Sequence, residues 1–477
     1  MTRTTFTLLL LILGASLAAA QKVTISDELP MRTDLSYDII GELKGKVLLF
    51  RNEVNKFGIQ AFDENMRSSW EKEIELDKKL INLIGITSTS DSFTLFYYFR
   101  ERGSTILKAA TFDASANLRD SITLTDLGFL FVTPEFEFIV SEDESKVMIY
   151  YPDRDDIFRV LVFDNQTMKL LWEKSFKDDD YNETEDVVHM MVDNRGGMHA
   201  VIEKDHFHSR QERHRYEVFR YSGIQGTEIT QFAVPLKGMI TFDVQFDIDN
   251  KNNRLTGGGF YYEKNPERAE GAFVLFIPED PNGAVLKFKA FDDDFVDRLA
   301  GKEQRNNRGL EEIEVRDLVL RNDGGLLIIG EENKNYYRRM TTANRSMVYD
   351  NMSRSVVDYF YEDLFILAFY PDGNLHWNTI LHKKQYSQDD EGVFSSYFLF
   401  KTPAFLRLIF NDEIKFENTV SEYVLRGTGQ FDRNSILSTE NLQLRLRFRE
   451  GVQTSPERIL VPSERRGRLR IARIDLL

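Results

Sequence analysis

The chain has 477 residues, a formal net charge of -16 at pH 7 and no cysteine. An acidic chain lacks the basic footprint that nucleic-acid binding needs, which excludes that class of function. Without cysteine no disulfide can hold the fold, so a chain of this length must rely on its own hydrophobic core. The negative charge favours solubility and either cations or basic partners.

Residues 1–20 have the pattern of a secretory signal peptide. Arg3 is their only charge, an apolar run follows, and the segment ends in three alanines at 18–20. This pattern predicts cleavage before Gln21, and the apolar run is too short to span a bilayer comfortably. We therefore expect an exported protein, periplasmic or extracellular, without a transmembrane segment.

Short alternating apolar runs separated by turn residues follow along the rest of the chain. With 37 Phe and 19 Tyr, the sequence is rich in residues that favour strands. Little of it has helical periodicity, so we predict an all-β fold. The clearest runs are KVLLFR at 46–51, KVMIYY at 146–151, RVLVFD at 159–164, LLIIG at 326–330 and LFILAFY at 364–370.

The three tryptophans occupy one repeated layout. In 61–74, 162–176 and 368–381 an apolar strand ends, a turn of Asp, Asn or Gly follows, and a Trp opens the next strand. Every Trp of the chain has this position, which indicates a repeated supersecondary unit.

Extension of this layout divides the chain into four-stranded units. Such a unit cannot bury both of its faces alone, and closed radial stacking of units gives a β-propeller. Three strands remain at the end of the chain (442–450, 457–467 and 468–476), and one strand at 22–29 has no unit. Joined, these would form an eighth blade and remove an exposed edge. We therefore predict one propeller domain over 21–477, of eight blades with seven as the alternative, from units at 36–75, 80–124, 135–176, 186–235, 239–291, 313–384 and 396–438.

The segment VFDNQTMKLLW at 162–172 resembles the tryptophan-docking motif of quinoprotein-type (PQQ-like) eight-bladed propellers. It has the Asp, Thr, Lys and Trp spacing of that motif, with Met168 at the usual glycine position. The other two Trp segments are one residue shorter after the turn. The resemblance implies the architecture. Quinoprotein enzymes characteristically carry a vicinal disulfide over the cofactor, and this chain has no cysteine, so we expect no cofactor.

Residues from about 313 to 477 also resemble uncharacterised exported propeller proteins of Bacteroidetes-type bacteria. The shared features are a strand ending in IIGEE, a tyrosine-rich insertion, DLFILAFYPDGNLHW and KKQYSQDDEGVFSSY, followed by LIFND and NSILST. This resemblance implies the fold and brings no activity with it.

Three acidic connections, at 177–186, 291–309 and 382–397, are expected on one face of the propeller. In a blade of antiparallel strands, that face carries the loops between second and third strands and the connections to the next blade. The acidic residues form a cation site or a surface for a basic partner, or they are ordinary solvated turns. The connection at 291–309 also predicts a short helix capped by its aspartates.

A histidine-containing loop at 203–219 belongs to the same face. His206, His208 and His214 are weak candidates for metal ligands, since two imidazoles separated by one residue can meet a metal from an extended segment. The loop offers no fixed fourth ligand, and we expect no bound metal. The alternative is a charged exposed loop whose histidines respond to acidification.

The largest insertion, 332–363, is the best candidate for a partner-binding surface. Tyrosines and arginines alternate in it, and both residue types bury area at interfaces while still forming hydrogen bonds. We expect it to lie beside the connection 382–397, which leaves the same blade. The candidate partner-binding residues are Tyr336, Tyr337, Arg338, Tyr349 and Tyr359 in the insertion, and Asp389 and Asp390 in the connection.

The connection 382–397 contains the residue types of a reaction centre without the pattern of one. Ser395, Ser396, His382 and Asp389 are close in sequence, but a triad is defined by mutual geometry. Asp389 and Asp390 are neighbours on an extended segment and should point to opposite sides, which is poor placement for sharing a proton. The chain has no G-x-S-x-G elbow. We interpret this connection as a structural crossover.

These patterns favour a non-catalytic, monomeric scaffold that binds a protein or glycan partner in the envelope or outside the cell. One alternative is a propeller enzyme that acts on glycans as a hydrolase or lyase, which would need paired carboxylates or a metal in the central channel. The other is a quinone-cofactor dehydrogenase.

Overall fold

The computed structural model describes residues 21–476, with gaps at 33, 55, 79–80, 154–155, 225–226, 267, 302–308, 340–354, 415–418 and 440–441. The predicted signal peptide and Tyr349 lie outside the described residues. The described residues form eight antiparallel sheets in a ring, one α-helix and short 3₁₀ turns. The predicted eight-bladed β-propeller is confirmed.

The first half of the chain forms blades 1 to 4. Each blade has four consecutive strands in chain order, with the first strand at the central channel. Two short strands, β1 (Lys22–Ile25) and β2 (Leu29–Pro30), precede them. The blade strands are β3 (Asp34–Leu43), β4 (Lys46–Glu53), β5 (Lys56–Phe62) and β6 (Ser68–Ile74); β7 (Asn82–Ser88), β8 (Ser92–Glu101), β9 (Ser104–Asp113) and β10 (Leu118–Asp126); β11 (Glu137–Val140), β12 (Lys146–Pro152), β13 (Ile157–Asp164) and β14 (Lys169–Lys177); and β15 (Val187–Val192), β16 (Met198–Lys204), β17 (Arg215–Tyr221) and β18 (Thr230–Pro235).

The second half forms blades 5 to 8. Blade 6 has a fifth strand, which pairs with its third. The elements are β19 (Ile240–Asp249), β20 (Arg254–Tyr262), β21 (Gly271–Ile277) and β22 (Val285–Ala290); α1 (Asp293–Ala300); β23 (Ile313–Leu320), β24 (Leu326–Arg339), β25 (Ser355–Phe369), β26 (Leu375–Leu381) and β27 (Gln385–Gln388); β28 (Phe398–Lys401), β29 (Phe405–Asn411), β30 (Thr419–Arg426) and β31 (Phe431–Ser438); and β32 (Val452–Ser455), β33 (Arg458–Arg465) and β34 (Arg468–Asp475).

The core consists of eight hydrophobic clusters, one at each junction between neighbouring blades. Strand β4 shows how the sequence builds two of them. Leu48 and Phe50 pack toward blade 2, and Val47 and Leu49 pack toward blade 8, because successive side chains point to opposite faces. Central strands are therefore apolar on both faces, and a blade is stable only between two neighbours.

Blade 8 joins the two ends of the described chain. β1 pairs with β34 over Lys22–Ile25, and β2 pairs with the same strand at Leu29 and Pro30. The outermost strand of this blade therefore comes from the start of the chain, and the other three come from its end. This closure agrees with the prediction and leaves no open edge between blades 1 and 8.

The predicted strand at 442–450 is wrong. This segment forms one isolated bridge, between Leu446 and Ser463, and then a 3₁₀ turn, and the innermost strand of blade 8 is the short β32. Its leucines and Phe448 are buried in the core between blades 7 and 8, which explains their alternating pattern. A regular ladder does not form there because the segment runs beside Pro462, which has no N–H to donate.

Two of the three tryptophans attach one blade to the next. Trp70, Trp172 and Trp377 all lie in the fourth strand of their blades, as the repeated layout predicts. The indole nitrogen of Trp172 donates to the Gly196 carbonyl at 2.8 Å, and that of Trp377 donates to the Gly427 carbonyl at 3.1 Å. Both carbonyls belong to the following blade, so these indoles stabilise the stacking of neighbouring blades.

Candidate functional site

A three-stranded extension of blade 6 projects from one face of the ring. β24 and β25 continue beyond the blade, and β27 pairs with β25 along 358–361. We call the segments 334–339, 355–361 and 385–388 the tongue. We call the face that carries it the insertion face; it holds the loops between second and third strands and the connections between blades. The insertion thus lies beside the connection 382–397, as expected.

Aromatic rings occupy both sides of the tongue. On one side Tyr336 contacts Phe360, with ring centroids 5.6 Å apart, and Phe360 contacts Tyr386 at 5.0 Å. Tyr337 follows Tyr336 on the same strand and therefore belongs to the other side, where it is 78% exposed. Tyr359 is half-buried on this second side. The sequence-predicted tyrosines that the structure describes are therefore divided between two surfaces of one sheet.

Asp358 connects the three strands of the tongue. Its carboxylate accepts hydrogen bonds from Arg338 Nη2 at 2.6 Å, from the Tyr386 hydroxyl at 2.8 Å and from Gln388 Nε2 at 3.1 Å. The Arg338 guanidinium holds the pKa of Asp358 below its usual range, because a bound cation favours the ionised carboxyl. Arg338 thus has an internal partner, which gives it a structural role within the tongue.

The two candidate aspartates of the connection have structural contacts as well. Asp389 Oδ1 accepts from the Val357 amide at 2.9 Å, and the Asp389 amide donates to the Val357 carbonyl at 3.0 Å. Asp390 Oδ1 accepts from the Gly392 amide at 3.1 Å. These bonds fix the end of the tongue and the turn that follows, which agrees with the interpretation of this stretch as a crossover.

A buried ion pair at the base of the tongue was missed by the sequence analysis. Lys383 Nζ lies 2.6 Å from Glu331 Oε1, and neither side chain is exposed. Ser396 Oγ donates to Glu331 Oε2 at 2.7 Å, and Lys383 Nζ also donates to the Tyr361 carbonyl at 3.1 Å. Gln385 accepts from Lys383 at 3.0 Å through its side-chain oxygen. The cluster ties β24 to the crossover and therefore holds the tongue in place.

The insertion face carries the most exposed apolar side chains of the described chain. Five large apolar or tyrosine side chains there are between 69% and 82% exposed: Leu35, Phe129, Phe131, Val132 and Tyr337. Phe129, Phe131 and Val132 lie in the connection between blades 2 and 3. Leu35 is the second residue of β3, the first strand of blade 1, and Tyr337 belongs to the tongue. Exposed apolar patches on a soluble surface are typical of contact sites.

The histidine loop has a structural rather than an open arrangement. His214 is buried, and its ring nitrogens lie 2.7 Å from the Lys204 carbonyl and 2.8 Å from Thr241 Oγ1. Burial lowers the pKa of His214, so the neutral ring is favoured. Both nitrogens are thus engaged within the fold. His206 stacks on Phe207, and the side chain of His208 lies outside the described residues.

The acidic connections also use their carboxylates internally. In 177–186, Asp178 and Asp186 each lie 2.6 Å from Lys204 Nζ, in a largely buried triad. In 291–309, Asp292 accepts from the Phe295 amide at 2.8 Å and caps α1, as predicted. Among the described residues, no group of three or more His, Asp or Glu side chains has an arrangement that would hold a metal ion.

Two cavities lie against different parts of the channel wall, one on each side of blade 8. The larger, of about 810 Å³, is lined by the first strands of blades 1, 2, 3 and 8 and by the turns that follow them. Its polar groups are mostly carboxylates and hydroxyls, from Asp38, Glu42, Glu142, Glu144 and serines and threonines at 87–90, 141 and 454, with the side-chain amide of Gln453. Burial raises the pKa of Asp38. Polar residues therefore converge in the channel, which is what a glycan-active enzyme would require.

The second cavity, of about 390 Å³, lies at blades 6 to 8 and has a different character. It is lined by Arg316, Lys401 and Arg449, by Asp317, and by Tyr397, Phe398 and Leu399. The channel thus has carboxylates on one part of its wall and a group of cations on another. Within the described chain, no helix has the length and apolar character that crossing a membrane requires.

Comparison with known proteins gives no family for this chain. No protein-family model and no curated protein matches it. Solved structures with a similar fold include BamB from Moraxella catarrhalis (TM-score 0.37, 10% identity, 94% of this chain and 99% of that chain covered) and Sqt1 from Saccharomyces cerevisiae (0.42, 9%, 93% and 97%). A europium-containing methanol dehydrogenase is a third (0.40, 11%, 92% and 85%). At these identities the likeness bears on neither activity nor partner.

Proposed function

We propose that the protein is an exported, non-catalytic binding scaffold whose insertion face contacts a protein or glycan partner. The observation that carries this proposal is the distribution of exposed apolar side chains. The five most exposed of the described chain lie on the insertion face, in blade 1, in the connection between blades 2 and 3, and in the tongue. Burial of such side chains on association is favourable because it removes apolar area from water.

The two main apolar groups lie on opposite sides of the channel mouth. Phe129, Phe131 and Val132 follow blade 2, and Tyr337 belongs to blade 6, so three blades separate them in one direction and four in the other. A partner that contacts both groups must extend across the channel mouth. Tyrosine at both surfaces of the tongue suits such a contact, because its ring buries area while its hydroxyl still forms hydrogen bonds.

The experiment is site-specific photo-crosslinking in the organism that produces the protein. A photoreactive phenylalanine analogue replaces Tyr337 in one variant and Phe131 in another. The matched control replaces Tyr370, which is 40% exposed on the opposite face. We expect discrete adducts at 337 and 131 that are missing at 370. A protein partner gives an adduct that proteases remove, and a glycan partner gives a heterogeneous adduct that survives them.

Absence of adducts at both positions, or the same adducts at 370, would contradict the proposed surface. A deletion of 334–358 is a less specific test, because it also removes Asp358 and with it the hydrogen bonds to Tyr386 and Gln388. Point substitution of Tyr337, which has a largely exposed side chain, avoids this structural damage.

A weaker candidate is an enzyme that hydrolyses or cleaves glycans in the channel. The carboxylates and hydroxyls of the larger cavity support it, since sugar hydroxyls need such partners and glycosidases need two carboxyl groups. Release of reducing ends from a polysaccharide, abolished by Glu142→Gln, would favour this candidate. Activity that persists in that variant would exclude Glu142 from the reaction.

A further inference from the structure

We propose that the cationic cavity at blades 6 to 8 binds an organic oxyanion, a carboxylate or phosphate group carried on a small apolar body. The cavity lies on the channel wall, because its lining comes from the first strands β23 and β28 and from the segment that leads into β32. This site is separate from the tongue, and the proposal does not depend on the proposed partner surface.

Three cations line this cavity, and two of them have no ion-pair partner. Among the described residues, no carboxylate lies within 4.0 Å of Lys401 or Arg449, and both side chains are exposed at the channel. Burial raises the pKa of Asp317 and of Asp247, and the charge of Lys401 opposes that rise, so these two carboxylates are near Lys401 without pairing with it. Arg316 is different, since its guanidinium lies 3.1 Å from Glu314 and 3.4 Å from Glu331. It is therefore fixed in place at the cavity wall, while the other two cations are available to a ligand.

The surrounding backbone positions these cations. The side-chain amide of Gln453 accepts from the Lys401 amide at 3.0 Å and donates to the Lys401 carbonyl at 2.9 Å. This clamp joins β28 to β32 across the junction of blades 7 and 8, where the strands themselves are short. Arg449 lies in the 3₁₀ turn that replaces the predicted strand before β32. Both cations thus sit on parts of the wall that are held by specific contacts.

The remaining lining defines the rest of the ligand. Phe398 and Leu399 contribute apolar surface to the cavity, and Tyr397 donates its hydroxyl to Asp317 at 2.5 Å, so this tyrosine adds ring surface more than a free donor. A volume of about 390 Å³ is in the range of small-molecule sites, which combine apolar walls with a few polar groups. An aromatic or aliphatic body with one oxyanion matches this combination.

The charge of the whole protein makes this group of cations informative. In a chain with net charge -16, cations without partners are not needed for solubility, and the other part of the channel wall is acidic. The lining of this cavity has three cations against one carboxylate, and a recessed wall with an excess of positive charge concentrates anions. Ordinary solvated cations would favour an anion over a neutral molecule of the same shape only weakly, so a large preference for the anion provides a direct test.

The experiment is ligand-observed NMR or calorimetry with benzoate and phenyl phosphate as probes and benzamide as the neutral control. We expect at least one of the two anions to bind, with an affinity that exceeds that of benzamide at least tenfold and falls as salt is added. The double variant Lys401→Ala/Arg449→Ala should lose at least tenfold in affinity. Comparison of the two probes distinguishes a carboxylate from a phosphate ligand.

The matched control is Arg67→Ala/Lys169→Ala, which removes the same charge from exposed positions on the outer strands and turns. It should bind like the unchanged protein. An equal melting temperature of the two double variants excludes loss of folding as the cause. The proposal is overturned if neither anion binds below about 10 mM, a binding free energy of roughly 3 kcal/mol. It is overturned equally if benzamide binds as well as the anions, or if both double variants lose affinity alike.

Discussion

The buried pair Glu331–Lys383 should control the stability of blade 6 and its tongue. Neither side chain is exposed, and their charged atoms are 2.6 Å apart. Removal of one member leaves the other charged and without its main partner in a region that excludes water. We expect Glu331→Gln to be the more damaging single change, because Lys383 then retains only the neutral acceptors Tyr361 and Gln385. Lys383→Met is milder, because Glu331 keeps Ser396 and Arg316 as partners.

The expected size follows from the behaviour of buried ion pairs. Loss of one partner costs about 3–5 kcal/mol, whereas joint replacement by apolar residues of similar volume is often neutral. For a cooperative chain of about 450 residues, an unfolding entropy of roughly 2 cal/mol/K per residue gives roughly 1 kcal/mol/K. Glu331→Gln should therefore lower the melting temperature by about 3–5 °C. Lys383→Met should lower it by less.

The assay is thermal unfolding of the two single variants and of the double variant Glu331→Leu/Lys383→Met. The double variant should be closer to the unchanged protein than Glu331→Gln is, because it removes both charges of the pair and Arg316 keeps Glu314 as a partner. If the double variant melts at the sum of the two single losses, the residues act independently and the reasoning fails. A shift of about 1 °C corresponds to roughly 1 kcal/mol at the unfolding entropy given above. If both single variants melt within that range of the unchanged protein, the pair is not desolvated as the structure indicates.

Three further predictions address other parts of the molecule. Trp172→Phe leaves the buried Gly196 carbonyl of the next blade without its donor, so it should lower the free energy of unfolding by about 1–3 kcal/mol. Trp70→Phe is the control, because the Trp70 indole donates no hydrogen bond among the described residues. Equal losses of stability in the two variants would disprove the docking role of the Trp172 indole. Burial raises the pKa of Glu332 to about 7, so the protonated carboxyl contributes stability below about pH 4.5 that is lost as pH rises through 7. Glu332→Gln should then gain up to about 3 kcal/mol at pH 8.5 and nothing at pH 4. A flat difference between those pH values would contradict this, and Glu312→Gln, at an exposed site, should change little at either. Mass spectrometry of the protein isolated from the organism that produces it should find Gln21 at its amino terminus. Retention of residues 1–20 would refute the predicted signal peptide.

The architecture was predictable from the sequence because each blade repeats one local pattern. The unit is identified by strands that are apolar on both faces, by turn residues between them and by a Trp in a fixed position. The number of units follows from counting the repeats of this pattern along the chain. The closure of blade 8 could also be inferred, since the chain begins with one unmatched strand and ends with too few. The repeated unit depends on short-range order, which a single sequence contains, whereas the closure joins residues at the two ends of the chain and follows from the count of strands.

The contacts at the base of the tongue could not be predicted in the same way. Lys383 stands beside Lys384 directly after an outer strand, a position where lysine is normally solvated. Its burial depends on Glu331, which is 52 positions earlier and becomes a neighbour only when β24 and the crossover meet. Likewise, Arg338 belongs to a stretch that could be interpreted as an exposed Tyr/Arg surface, but the pairing of β24 with β25 brings it to Asp358 within the tongue. Such partners are set by the register of distant strands.

The prediction that failed, a strand at 442–450, indicates where the fold departs from its own repeat. The alternating leucines of this segment fill the core between blades 7 and 8, so the sequence pattern is correct for burial. Pairing is interrupted beside Pro462, and the chain turns at Phe448–Glu450 instead of continuing along the channel. This turn places Arg449 at the cationic cavity. If the segment formed a regular strand, that strand would line the channel there in place of the turn. Local irregularity in a repetitive fold has a cost, and it is commonly retained at functional positions. The same segment that defeats the repeat pattern therefore supplies a cation to the proposed oxyanion site, and a substitution such as Pro462→Val, if it regularised the strand, should weaken anion binding without removal of any charge.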